Sequence, residues 1–134
     1  MTIKLTLDKL EFRVALLTEA APMTCRALLA ALPIELQVVH AMWSGHQLIA
    51  RPIDLHMSAL ENPIALPVPG DVLYHQRHQE IAIVYGEAQF REPIGPVYVT
   101  RVGRVEGDLE ALASLGARVQ LEGAKRFMLY REKV

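Results

Sequence analysis

Residues 69–86, PGDVLYHQRHQEIAIVYG, constrain the fold more than any other stretch of this chain. Two short runs rich in Val, Ile and Tyr, Asp71 to His75 and Glu80 to Tyr85, flank a polar turn between Gly70 and Gly86, which is the pattern of a β-hairpin. Ile81, Ala82, Ile83 and Val84 are consecutive and apolar, so both faces of the second strand must be covered. That places the hairpin centrally in a barrel or sandwich.

The surrounding chain supplies strands for such a barrel. Ile3, Leu5 and Leu7 alternate with polar residues, as do Phe12, Val14 and Leu16, so two half-buried strands meet at a turn near Asp8 and Lys9. Pro22 suits a first helical position, and Cys25, Leu28, Leu29 and Leu32 fall on one face, which predicts a helix over 22–32 stopped by Pro33. From Ile34 the period changes to two, with Val38, His40 and Met42 on one face and Gln37, Ala41 and Trp43 on the other. Ser44 and Gly45 make a turn into a partner strand over 46–53, and the proline-rich stretch 56–69 is an irregular loop. The segment 87–96 again reads as loop, and a strand follows over 96–105. Asp108 or Gly107 caps a compact second helix with Leu109 and Leu112 inward, and Gly116 is the expected stop. A last strand over 118–130 bends at Gly123. Antiparallel strands with two isolated helices predict a mainly β, closed barrel whose ends the helices plug.

A chain of 134 residues is the size of one domain. Its 14 basic and 15 acidic residues are interspersed, for a net charge of -1, which offers no field to attract nucleic acid or an anionic membrane. The N-terminus lacks a secretory pattern, and the one cysteine, Cys25, fits a reducing compartment; a cytoplasmic location is expected. His75 and His78 flank the central turn, but a good zinc site needs three or four converging ligands, and a solvated polar turn accounts for them; no metal and no cofactor is expected. Cys25, on an apolar helix face, reads as an inert thiol. His40 points into the barrel and should bond a backbone group. Ser44 and His46 make no triad without an orienting acid.

Two longer stretches and four short motifs in order carry a family resemblance. APMTCRALLAAL is similar to the helix start that follows the opening hairpin in cyclophilins, and VTRVGRVEGDLEAL to the segment that enters their second helix. Trp43-Ser44-Gly45, Glu61-Asn62-Pro63, Pro69-Gly70-Asp71 and Tyr85-Gly86 together resemble small uncharacterised prokaryotic proteins described as cyclophilin-like. The resemblance implies an eight-stranded barrel with two short capping helices. It does not imply prolyl isomerase activity, because Ala41 follows His40 where cyclophilins place a catalytic arginine, and the pattern lining their proline pocket is missing at Glu80 to Val84.

Aromatic rings with polar tips beside an arginine are the usual lining of a cleft. Trp43, Tyr74, Tyr85, Gln89 and Arg91 are therefore the expected ligand-binding residues, with Arg91 selecting an anionic group from a small molecule or short peptide. A component of an amide-hydrolysing enzyme, as cyclophilin-like barrels resembling this one also are, is the alternative, and a convergent Ser, His and acid would favour it. A weak isomerase and a homodimer complete the expectations.

Overall fold

The protein is described by a computed structural model, which covers residues 1–41 and 44–132. Eight antiparallel strands close into a barrel. Around the ring they run β2 (Leu10–Leu16), β1 (Thr2–Leu7), β11 (Lys125–Arg131), β3 (Ile34–His40), β4 (Gly45–Ala50), β7 (Glu80–Ala88), β6 (Asp71–His75) and β10 (Val99–Glu106), and β10 pairs back onto β2. Short β5 (Pro63–Ile64) adds to β10, and β8 (Arg91–Glu92) pairs with β9 (Gly95–Pro96) in a separate small hairpin. Two helices complete the fold, α1 (Pro22–Ala31) and α2 (Leu109–Glu122). Among the described residues no helix is long and apolar enough to cross a membrane.

The central hairpin is β6 and β7, joined by the turn 76–79, where Gln79 adopts φ 52°. Every residue of β6 is buried. Its two faces serve two different clusters. Val72, Tyr74, Ile81 and Ile83 join the barrel interior with Leu5, Phe127 and Leu48, whereas Leu73, Ala82 and Val84 point outward and are covered by Phe90, Val97 and Val99. Burial on both faces explains the unbroken apolar run. The cover is the segment 89–98, which is tied down by Gln89 N–H donating to Ser44 O at 2.9 Å and Phe90 N–H to Ala65 O at 3.1 Å.

Asp71 pins the start of β6. It is fully buried, accepts the backbone N–H of Val68 at 2.9 Å, and pairs with Arg104 and, at 3.1 Å, with Arg101. Both arginines sit on β10, so one carboxylate ties neighbouring strands together beyond their ladder.

Helix α1 plugs one region of the interior with Cys25 and Leu28, and it ends before Pro33, as its sequence predicts. Its N-cap, Ala21, has no side chain to offer, and Glu61 takes that role from the loop 51–70. The Glu61 carboxylate accepts Thr24 N–H at 2.6 Å, Thr24 O–H at 2.7 Å and Met23 N–H at 3.2 Å, satisfying amides that the helix leaves free.

Helix α2 differs from the expectation. Asp108 caps it by accepting Ala111 N–H at 3.0 Å, but it runs through Gly116 and stops at Gly123, whose φ is 96°. Residues 118–122 are helical, and the last strand begins only at Lys125. Gly116 is there for close approach: a Cβ at that position would run into the ring of Tyr85. Leu112 and Leu115 are buried as the face requires, whereas Leu109, expected to point inward, is 37% exposed.

Candidate functional site

Outward-facing side chains of β4, β7 and β6 form three rows across the barrel wall, set by register. Glu80 stands opposite His75, and Ala50 pairs with Ile81, which brings Arg51 beside Glu80 with Arg51 Nη1 3.8 Å from the carboxylate. The middle row is Ile49, Ala82 and Leu73; Gln47 opposite Val84 is the last. Val84 and Glu80 are four residues apart, so the polar ends are about 13 Å apart at the strand rise. Over these rows the segment 89–98 folds as a roof. The partly open pocket measures about 330 Å³ and is lined by Gln47 and Ser44 at one end, Ile49, Phe90 and Val97 along the middle, and Arg51, Glu80 and His75 at the other, with His78, Arg91, Glu92 and Pro93 also on its wall.

Three polar residues of the floor are almost wholly buried: Gln47 is 0%, Glu80 5% and His75 6% exposed. Gln47 Nε2 donates to Ser44 Oγ, while its Oε1 has no hydrogen-bond partner among the described residues. Burial pushes the Glu80 carboxyl above its ordinary range, against the opposing pull of His78 and Arg51. Burial, aided by His78, pushes His75 down to about 4, so at neutral pH the imidazole is uncharged. Its Nδ1 accepts the backbone N–H of His78 at 3.3 Å.

The sequence-predicted residues scatter around this pocket instead of forming it. Arg91 lies on its wall, and Gln89 lines an open groove next to it with Leu66, Val68 and, again, Arg91. Trp43 lies outside the described residues. Tyr74 requires a correction: it points into the barrel, 1% exposed, where its hydroxyl donates to Ile53 O at 2.8 Å and accepts Leu55 N–H at 3.1 Å. With the residue buried and its oxygen doubly engaged, it cannot line a cleft. Tyr85 is on the inward face too, stacked on His46 at 5.4 Å between ring centroids, and it shares a 2.6 Å hydrogen bond with His40 Nε2. His40 therefore bonds a side chain and not the backbone group expected. Cys25 is buried, its thiol pushed up to about 11 by burial and the Glu61 charge, which leaves it unreactive.

His40 gives a pH prediction. Burial and the nearby His46 lower its pKa from 6.5, and its Nδ1 is buried without a partner among the described residues. Below that ordinary value the unfolded chain binds the proton more readily than the folded one. Its contribution to stability is thus fully present above about pH 6.5 and is lost as pH falls through the folded-state pKa. Urea unfolding at about pH 7.5 and about pH 5.5 should show a smaller loss in His40→Gln than in the wild type; equal losses would remove His40 as the cause.

Gln47, Glu80 and Arg51 were missed as site residues. Parity within the β7 run offers the one signal in the sequence: Glu80, Ala82 and Val84 share a face, and a glutamate heading an otherwise apolar, covered face needs a polar partner.

Residues 3–130 match the family described as "Protein of unknown function (DUF3830)". Among curated proteins no match is found. Several solved structures share the fold, among them the following two. One is described as "Structure of McbB in complex with tryptophan", with a TM-score of 0.81 and 20% identity over 98% of this chain. This chain spans 46% of that protein's length. The other is the solution structure of the hypothetical protein AF2241 from Archaeoglobus fulgidus, with a TM-score of 0.72 and 22% identity, covering 98% of this chain and 95% of that one. Identities this low speak to the barrel and not to its chemistry.

Proposed function

The chain belongs to the DUF3830 family, and for this member we propose that the outer pocket between β4, β6, β7 and the segment 89–98 binds a small molecule. Its volume is at the lower end of the range of small-ligand sites, too small for a folded partner. The three rows define what fits. The ligand has an apolar body, resting on Ile49, Phe90 and Val97, and hydrogen-bonding groups at both ends, one for Gln47 and one for the Arg51, Glu80 and His75 row. Arg91 on the wall supplies positive charge for an anionic group. The observation that carries the reading is Gln47 Oε1. A buried acceptor left without a donor costs about 1–3 kcal/mol, and a ligand that supplies the donor recovers it once the amide turns toward the pocket. Tryptophan, present in the McbB structure, is a first probe because it has an apolar body and polar groups of this kind.

Kinship with the cyclophilin-like barrels stays part of this proposal, without prolyl isomerisation, since Ala41 is fully buried and carries no charge to a substrate. The amide-hydrolysing alternative draws on Ser44, His75 and Glu80 lining one pocket. Against it, Ser44 Oγ is held by Gln47 and no histidine is bonded to it among the described residues.

Gln47→Leu is the test. Removing the unpartnered amide should leave unfolding free energy unchanged or raise it by about 1 kcal/mol. A fragment screen by nuclear magnetic resonance should find ligands whose shifts map to Gln47, Ile49 and Phe90, and these should bind Gln47→Leu roughly 2- to 10-fold more weakly, as loss of one hydrogen bond requires. Hits that map elsewhere, or that bind the variant unchanged, would remove the pocket as the site.

A further inference from the structure

His75, His78 and Glu92 come together at the charged end of the pocket from two separate pieces of chain. His75 ends β6, His78 is in the following turn, and Glu92 belongs to the β8–β9 hairpin that roofs the pocket. One donor atom from each lies within 4.8 Å of the others. Glu80, opposite His75 in the β6–β7 register, adds a buried carboxylate whose ion-pair partner Arg51 stands 3.8 Å away. We propose that these three side chains hold a divalent transition-metal ion of the zinc class, with at least one coordination position open to the pocket.

Two imidazoles and a carboxylate suit zinc, nickel or cobalt, whereas calcium and magnesium prefer all-oxygen sets. Three protein ligands with a free fourth position is the arrangement of zinc sites that bind or activate another molecule. The ligand most fixed in place is His75. It is buried, and its Nδ1 already faces the turn, where the 3.3 Å contact from His78 N–H is long enough to be given up to a metal. The other two ligands are on movable supports. His78 is about half exposed in a four-residue turn, and Glu92 is on a two-stranded hairpin that is not part of the barrel ladder. With metal bonds of about 2.0–2.1 Å, tetrahedral ligands sit about 3.3 Å apart, so donor atoms that already lie within 4.8 Å of one another close by about 1.5 Å at most.

Besides the His78 N–H contact, closure costs one ion pair. Arg77 Nη1 pairs with Glu92 at 2.7 Å, but the arginine side chain is 70% exposed, and ion pairs of that kind contribute little. A cation at this spot also faces Glu80, giving that buried carboxylate a second positive neighbour. The ion would draw the roof onto the wall, since Glu92 comes from the roof and both histidines from the wall. The proposal needs no organic ligand, so it stands or falls separately from the binding reading above.

The test uses untagged full-length protein, stripped with a chelator and titrated with Zn²⁺ in a calorimeter and with Co²⁺ by visible absorption. One equivalent of Zn²⁺ should bind, the Co²⁺ spectrum should have the intensity of a four-coordinate site, and the melting temperature should rise with metal concentration by mass action. His78→Ala and Glu92→Gln, both surface changes that leave the core intact, should each weaken Zn²⁺ by about 10- to 100-fold or more, the loss expected even for an outer-shell partner. His56→Ala, a change at a histidine outside the cluster, should bind as the wild type does. Absence of saturable one-equivalent binding, or binding that survives in the His78→Ala, Glu92→Gln double variant, would overturn the site.

Discussion

Asp71→Ala is expected to lower the unfolding free energy by about 2–4 kcal/mol, somewhat less than breaking a fully buried ion pair, because the arginines left behind are 27% and 39% exposed and can be hydrated. The carboxylate is fully buried and serves Arg101, Arg104 and the Val68 amide at once. Alanine would leave Arg101, whose Nε is already buried without a partner among the described residues, with a second unmet group in the same place. The loss falls where β6 meets β10, so amide exchange in residues 71–75 should accelerate before that in β1 or β11. Chemical denaturation measures the first quantity. A loss below about 1 kcal/mol would mean that water replaces the carboxylate and that the cluster contributes little to holding the barrel closed.

Leu28→Ala should cost about 2–5 kcal/mol, through lost transfer energy and the cavity left behind. Leu28 is 1% exposed and packs into the same interior cluster as the inward faces of the strands, so the barrel cannot collapse around the gap without moving them. A loss under about half a kcal/mol in urea unfolding would place Leu28 at the surface and contradict the docking of α1.

The interior was legible because alternation, burial and strand composition report the same fact. The β6–β7 hairpin, the opening hairpin and α1 follow from their residues, and Pro33 stops α1 for a reason internal to the backbone. Helix α2 was legible at its start and not at its end. Gly116 has the local signature of a stop, yet the demand it answers comes from Tyr85, thirty-one positions earlier in the chain, whose ring needs the missing Cβ. Tyr74 was misplaced for a related reason: a tyrosine next to a turn looks like cleft lining until the register puts it, with Val72, on the inward face. The pocket was the least legible part. Its floor joins residues 47, 49, 51, 75 and 80, and the relation among them is a property of strand pairing, while its roof is a segment that reads as an ordinary loop.

The placement of that pocket on the outside of the wall separates two kinds of selection. Interior residues such as Leu5, Leu48 and Phe127 keep the barrel folded and make no contribution to the pocket lining. Ser44, Arg91 and Pro93, which are not buried, can therefore be exchanged in evolution, or in a laboratory library, with little cost to stability, whereas Gln47, Ile49 and Phe90 line the pocket and are buried as deeply as the core. The charged row is constrained in addition by its chemistry, because Glu80 and His75 are buried polar groups and each needs a partner to remain tolerable there.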